Sequence, residues 1–184
     1  MELDLKREVR RAARGDGDAA AVLFDHYYPR VFRYAMARIR NEPDAEDVAA
    51  ECFARVLQDI RNFRWRGGGF EAWLFRIAAN LVVDHLRHVG KEQAEGEPSE
   101  EADTAPLVDP ASVVQHRETR RELDDMLRRL PPEQREVLLL RFAVGLDTKE
   151  TADVMGRRAN AIRQLQFRAL SNLRALMQQE VGSR

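Results

Sequence analysis

Residues 156–174 read GRRANAIRQLQFRALSNLR and hold five arginines without one acid. A solvated helix face normally intersperses both signs of charge, but acids on a surface that approaches phosphates would repel them. Here the acid-free stretch runs from Val154 to Gln179. Arginine can pair with guanine and asparagine or glutamine with adenine, while further arginines neutralise phosphates. The chemistry on offer is recognition of duplex DNA. A second stretch, FRWRGGGF from Phe63 to Phe70, interleaves Arg64 and Arg66 with Phe63, Trp65 and Phe70. Between Ile60 and Val83, Glu71 is the only acid, set against Arg61, Arg64, Arg66 and Arg76. Aromatic rings beside arginines on a flexible loop suit stacking on unpaired bases. A third group has the opposite sign. Glu46, Asp47 and Glu51, with Asp44 close by, form an acidic face that DNA would avoid and a basic protein partner would not.

Catalytic chemistry is not written in the chain. His85 and His88 stand one turn apart without an acid or cysteine cluster at metal spacing. The triple glycine lacks the lysine and hydroxyl of a phosphate loop, and Cys52 falls inside an apolar stripe where a small core residue is expected. No cofactor and no small-molecule substrate is expected.

Helices must position these groups. Ala45, Val48, Ala49, Cys52, Phe53, Val56, Leu57 and Ile60 recur at i, i+3, i+4, with Asn41 and Asp44 as capping groups and Pro43 in the first turn. An earlier helix is expected from about Ala19 to Arg40 and a later one from Phe70 through Trp73, Leu74, Ile77, Ala78, Leu81, Val82 and Leu86. On the latter, Arg76, Asn80, Val83 and Arg87 share a face away from the apolar stripe. These three helices are expected to share one core. Residues 91–110 (KEQAEGEPSEEADTAPLVDP) carry one lysine, seven acids and three prolines, so an acidic linker is expected there. Helical periodicity resumes with Leu123, Met126, Leu127 and Leu130, and after Pro131-Pro132 continues through Val137, Leu138, Leu140 and Phe142.

Asp147 and Glu150 have the spacing of a capped helix start, and a short helix Thr148–Met155 is expected, then a turn at Gly156 and a long helix through Met177. Ala152, Gly156 and Ile162 fall where a helix-turn-helix needs a small residue, a turn residue and a buried aliphatic. Ile162, Leu165, Ala169, Leu173 and Leu176 would point inward, leaving Asn160, Arg163, Gln164, Phe167 and Arg168 outward. The fold class expected is all-α: two small helical domains joined by a flexible acidic linker, the second containing the helix-turn-helix.

With 184 residues, a formal net charge of -1 and one cysteine, the totals fit a globular protein of one or two small domains without an internal disulfide. Neither a spanning apolar run nor a signal-like N-terminus is present, so the cytoplasm is the expected address, with no direct membrane insertion.

In their order and spacing these motifs resemble the bacterial sigma factors of RNA polymerase, specifically the compact extracytoplasmic-function (ECF) class of the sigma-70 family. DAEDVAAECFARV (Asp44–Val56) looks like that family's core-polymerase-binding helix, and FEAWLFRIAANLVVDHLR (Phe70–Arg87) like its −10 promoter segment. LRRLPPEQREVLLLRF (Leu127–Phe142) and the helix-turn-helix after it look like its −35-binding region. The resemblance implies an N-terminal segment (1–18), a region 2 domain (19–90), a linker (91–116) and a region 4 domain (117–184). It places Asp44, Glu46, Asp47 and Glu51 against the β′ clamp helices of core polymerase, with the β flap as a further contact. Arg64, Trp65, Arg66, Arg76, Asn80, Asp84 and Arg87 would engage the melted −10 strand. Lys149, Arg157, Arg158, Asn160, Arg163, Gln164, Phe167 and Arg168 would face the −35 duplex. An anti-sigma factor is an implied partner beside polymerase and promoter DNA. Free members are typically silent because their modules fold together or are held by such a partner. The chain departs from the family at Arg158, where Ser or Thr usually caps the recognition helix, at Thr151, usually aliphatic, and at Arg157, commonly valine. A rival expectation, a stand-alone helix-turn-helix regulator, accounts for the C-terminal motif but leaves the acidic helix and the aromatic-arginine loop without a task.

Overall fold

The first three helices each begin where a short polar side chain satisfies an exposed N–H group of the first turn. The computed structural model describes residues 4–95 and 123–182. Helix α1 (Leu5–Ala12) is capped by Asp4, which accepts from the Arg7 N–H at 3.2 Å. Helix α2 (Gly17–Ile39) is capped by Asp16, and α3 (Glu42–Asp59) by Asn41, which accepts from the Asp44 N–H at 3.1 Å with Pro43 in the first turn. After a 3-10 turn at Ile60–Asn62, α4 spans Gly69–Glu95. Helix α5 covers 123–129, and α6 (Pro132–Leu138) widens into a π-helical turn at Leu139–Val144. Helices α7 (Thr148–Met155) and α8 (Ala159–Gly182) complete the chain. No strand occurs among the described residues.

Three features differ from the expectation. Helix α1 lies in a segment assigned no element; Leu5, Val9 and Ala12 recur at i, i+4, i+7, too short a stripe to stand out. Helix α4 runs on to Glu95, past the expected module boundary, because Lys91 to Glu95 are all good helix formers. The rest of the linker lies outside the described residues. Phe142, expected to continue an apolar stripe, is 61% exposed: the π turn shifts the register so that Leu139, Leu140 and Val144 face inward instead.

The helices α2, α3 and α4 pack around Leu23, Tyr27, Tyr34, Cys52, Val56, Phe70, Leu74 and Phe75. This core is not closed by the N-terminal module alone, because Leu140, Val144 and Leu146 from beyond α6 are part of it. Phe75, on the side of α4 that the sequence pattern left outside the stripe, is fully buried for this reason. A second cluster joins Leu130, Val137, Leu138, Ala152, Ile162, Leu165 and Ala169.

Cys52 is fully buried, and desolvation pushes its thiol pKa up to about 12. A thiol-specific reagent at neutral pH is therefore expected to leave the native protein unmodified and to titrate Cys52 only after denaturation. Ile162→Ala removes a side chain with no exposed surface from the smaller cluster, and urea denaturation should report a loss of about 2–5 kcal/mol.

Candidate nucleic-acid interface

The loop between the 3-10 turn and α4 can turn sharply because Gly67 and Gly69 adopt left-handed φ values of 54° and 72°. Phe63 is the hub beneath it, with ring centroids 5.2 Å from Trp65, 5.6 Å from Phe70 and 5.0 Å from Trp73. Phe63 is thus part of the core edge, whereas Trp65 is 38% exposed and free to receive another ring. Arg64 folds back on its own loop, donating from Nη1 to the carbonyls of Arg61 and Phe63 at 3.2 and 3.0 Å. Arg66 is exposed. Arg76, Asn80, Val83, Asp84 and Arg87 are all exposed on α4, and Asp84 lies 3.9 Å from Arg87 as an ion pair.

On α3, Glu46, Asp47 and Glu51 are exposed and Asp44 is half-buried. Two of these charges have neighbours of opposite sign: Asp44 lies 3.3 Å from His85, and Glu51 accepts from Arg55 Nε at 2.8 Å. Beside the acids lie exposed apolar groups: Phe24 of α2, which the sequence pattern did not single out, and Leu57 of α3, which the apolar stripe placed in the core but which sits outside it. Phe24 and Leu57 are 40% and 48% exposed, and Phe24 stacks on Tyr28 with centroids 4.8 Å apart. The patch they form spans two helices at once, so no single-helix periodicity displays it. Apolar anchors rimmed by charge are the composition of a protein-binding surface.

The helix-turn-helix forms as its residues dictate. Asp147 and Glu150 make a reciprocal capping box, each backbone-to-carboxylate bond 2.7 Å long. Thr151, fully buried, satisfies its hydroxyl by donating to the Asp147 carbonyl at 2.7 Å, which is how a polar residue fits a site expected to be aliphatic. Gly156 turns with φ 62°. The Arg158 carbonyl accepts the first bond of α8 from the Ile162 N–H at 3.1 Å. Asn160, Arg163, Gln164, Phe167 and Arg168 face outward, Phe167 at 73% exposure, and Lys149 and Arg158 are exposed as well. Arg157 instead pairs with Glu133 of α6. Arg141 ties the π-helical turn to α8 through Gln166 at 3.0 Å.

The two halves of the candidate interface meet. Glu71 receives both Nη groups of Arg30 at 3.0 Å and the Tyr27 hydroxyl at 2.9 Å, and Arg30 also donates to the Val144 carbonyl at 2.9 and 3.1 Å. Tyr34 donates to Glu136 at 2.6 Å, and Arg38 pairs with the same carboxylate. Asp153 of α7 accepts the Gly68 N–H on its side chain and Arg76 on its carbonyl. A Cβ at Gly68 would come within 2.7 Å of the Glu150 Cα, so α7 lies directly on the loop. Arg76, expected to meet DNA, is thereby engaged by the C-terminal module, while the outward face of α8 stays clear.

Burial works against the Glu71 carboxylate, but the hydrogen bonds and charge of Arg30 prevail and hold its pKa below the ordinary value. Glu150 goes the other way: burial, with the charges of Glu71 and Asp147, pushes it up. Burial and then Glu136 raise the Tyr34 hydroxyl. The Nε atoms of Arg38 and Arg135 are buried at this joint without a hydrogen-bond partner. Among the described residues no group of side chains could hold a metal ion, and no helix is long and apolar enough to cross a membrane.

Comparison with known proteins matches residues 23–92 to Sigma-70 region 2 and residues 120–173 to Sigma-70, region 4. The chain is 39% identical over 170 residues to the ECF RNA polymerase sigma factor BldN of Streptomyces coelicolor, covering 92% of this chain and 64% of that protein. It is 36% identical over 182 residues to the ECF RNA polymerase sigma factor ShbA of Streptomyces griseus, covering 93% and 94%. Among solved structures, the sigma factor RpoE from Bartonella quintana, crystallised with the anti-sigma factor NepR, shares the fold with a TM-score of 0.70 at 21% identity, covering 86% of this chain and 96% of that one.

Substitutions at the joint should shift the modules in opposite directions. Asp153→Ala leaves the Gly68 N–H without its acceptor and should weaken closure by about 1–3 kcal/mol. Glu150→Gln keeps the capping box but removes a charge beside Glu71, so it should favour closure at pH 7. Because the carboxyl pKa is raised, the ionised form opposes closure, so the difference between wild type and Glu150→Gln should narrow as pH falls through the carboxylate range. Energy transfer between dyes on the two modules measures both.

Proposed function

Since this chain belongs to the extracytoplasmic-function class of the sigma-70 family, we propose that its N-terminal module (19–90) grips core polymerase and the melted −10 strand while its C-terminal module (117–184) reads the −35 duplex, the linker (91–116) spanning between them. The protein is a sigma factor: it binds core RNA polymerase and directs it to specific promoters, a task of binding and not of catalysis. The observation that carries the reading is the presence of both sigma regions, in order, on one chain. A stand-alone regulator would have no use for the first.

In this division Asp44, Glu46, Asp47 and Glu51 contact the β′ clamp helices, with exposed Phe24 and Leu57 as apolar anchors beside them. Region 4 meets the β flap. Unstacking costs a few kcal/mol per base, so the loop must return comparable energy on the strand it captures. Trp65 supplies a stacking face, Arg64, Arg66, Arg76 and Arg87 supply charge, and Asn80 and Asp84 supply polar contacts. On α8, Arg163 and Gln164 suit guanine and adenine, with Asn160, Phe167 and Arg168 alongside and Lys149, Arg157 and Arg158 at the flanks. A factor that serves polymerase works in the cytoplasm.

The contacts of Asp153 with Gly68 and Arg76 support a self-masked free state, in which the −10 face is covered until the modules part. Opening would free Arg76 and return the buried Nε atoms of Arg38 and Arg135 to water. A solved relative was captured with an anti-sigma factor, and the acidic and apolar surface of α2 and α3 would suit an anti-sigma partner with a basic, partly apolar face.

Mixing the purified protein with sigma-free bacterial core polymerase tests the assignment. A co-eluting complex that starts RNA at discrete positions on genomic promoter fragments is expected; a protein that stays separate yet protects duplex DNA alone would mean the regulator. Trp65→Ala and Asn80→Ala should each lower open-complex formation by about tenfold while core binding persists, given about 1–3 kcal/mol per stacked base. Loss of core binding in these variants would overturn their placement.

A further inference from the structure

The N-terminal helix α1 lies outside the matched sigma regions, yet it is built onto the single-strand loop. Val9 and Ala12 are buried in the main core with Leu5 partly buried beside them, which fixes the helix against α2 and the 3-10 turn. Its acid is used internally: Glu8 is buried against Arg11 at 3.0 Å, and Arg11 also holds Asp16 at 2.9 Å. Lys6 and Arg10, one turn apart and exposed, are left facing the loop.

Between them and the loop lies an open cleft of about 320 Å³ lined by Lys6, Arg10, Trp65, Arg66, Gly67 and Gly69. Three cations and one indole line it, without an acid. The Lys6 ammonium sits 5.8 Å from the centre of the Trp65 ring, so the aromatic face and the α1 charge address the same space. A Cβ at Gly69 would touch the Trp65 ring at 3.4 Å, so the glycine keeps the floor of the cleft against the indole. A neighbouring cleft on the other side of the loop includes Asp153, whereas this one has no lining residue from the C-terminal module and stays accessible when the modules are packed together.

We propose that α1 forms one wall of a nucleotide-binding cleft: a base of single-stranded promoter DNA stacks on Trp65 while Lys6 and Arg10 clamp an adjoining backbone phosphate. Trp65 provides the sequence-tolerant face, and the two α1 cations provide the salt-dependent attraction that positions the strand. The proposal rests on the sigma reading and extends its DNA surface to a segment that reading leaves idle.

The test measures affinity of reconstituted holoenzyme for fluorescein-labelled, premelted promoter DNA across a salt series. Lys6→Gln/Arg10→Gln, which keeps the stems, should bind core polymerase as wild type does, weaken DNA binding about tenfold and lower the salt slope by about 0.7, the share of one single-strand phosphate. Lys6→Arg/Arg10→Lys should restore both. Arg7→Ala, on the same helix but outside the cleft, should change neither. Unchanged affinity and slope in the double variant, or an equal loss with Arg7→Ala, would overturn the clamp while leaving the sigma reading intact. A wild-type holoenzyme that fails to bind the premelted DNA would overturn both.

Discussion

One carboxylate organises the molecule. Glu71 is the only acid in a basic stretch of the chain, and it is half-buried where α2, α4 and the turn after α6 converge. It takes two bonds from Arg30 and one from Tyr27, and Arg30 in turn holds the Val144 carbonyl. A guanidinium buried to this degree would be costly alone, and so would the carboxylate; together, with every strong acceptor used, they are tolerated. The fork couples the start of α4 to the C-terminal module, so the position of one module is read by the other.

The joint is therefore polar where a permanent domain interface would be apolar. Val144, Leu140 and Leu146 supply the oily part, but the rest is carried by Arg30, Tyr34, Arg38, Glu136 and Asp153. Burial of two unpaired Nε atoms costs free energy that is recovered on opening. Such a surface can be closed in the free chain and still open when a partner offers better contacts.

Legibility followed the range of the interactions. The helices α3 and α4, the capping box of α7, the turn at Gly156 and the outward face of α8 rest on contacts within a few residues of chain, and each appears in the sequence as spacing. Cys52 likewise behaves as the small core residue its stripe implies. Helix α1 escaped because two turns carry too few apolar positions to register, and Phe142 because a π turn breaks the period on which the reading depends. The pairing of Asp44 with His85 crosses between helices far apart in sequence, and no spacing rule announces it.

The amino-acid sequence by itself determined the all-helical character, the two sigma regions and the identity of the basic, aromatic and acidic groups available to each, because helix formation and charge are properties of local runs. Only the tertiary structure decided which groups are free. It turned Phe63 inward and Trp65 outward, tied Arg157 to Glu133 and Arg76 to Asp153, and brought Lys6 and Arg10 alongside the loop some sixty residues later in the chain. These outcomes depend on which surfaces find one another after the helices have formed, a matter of shape and desolvation across the whole molecule that no local pattern encodes.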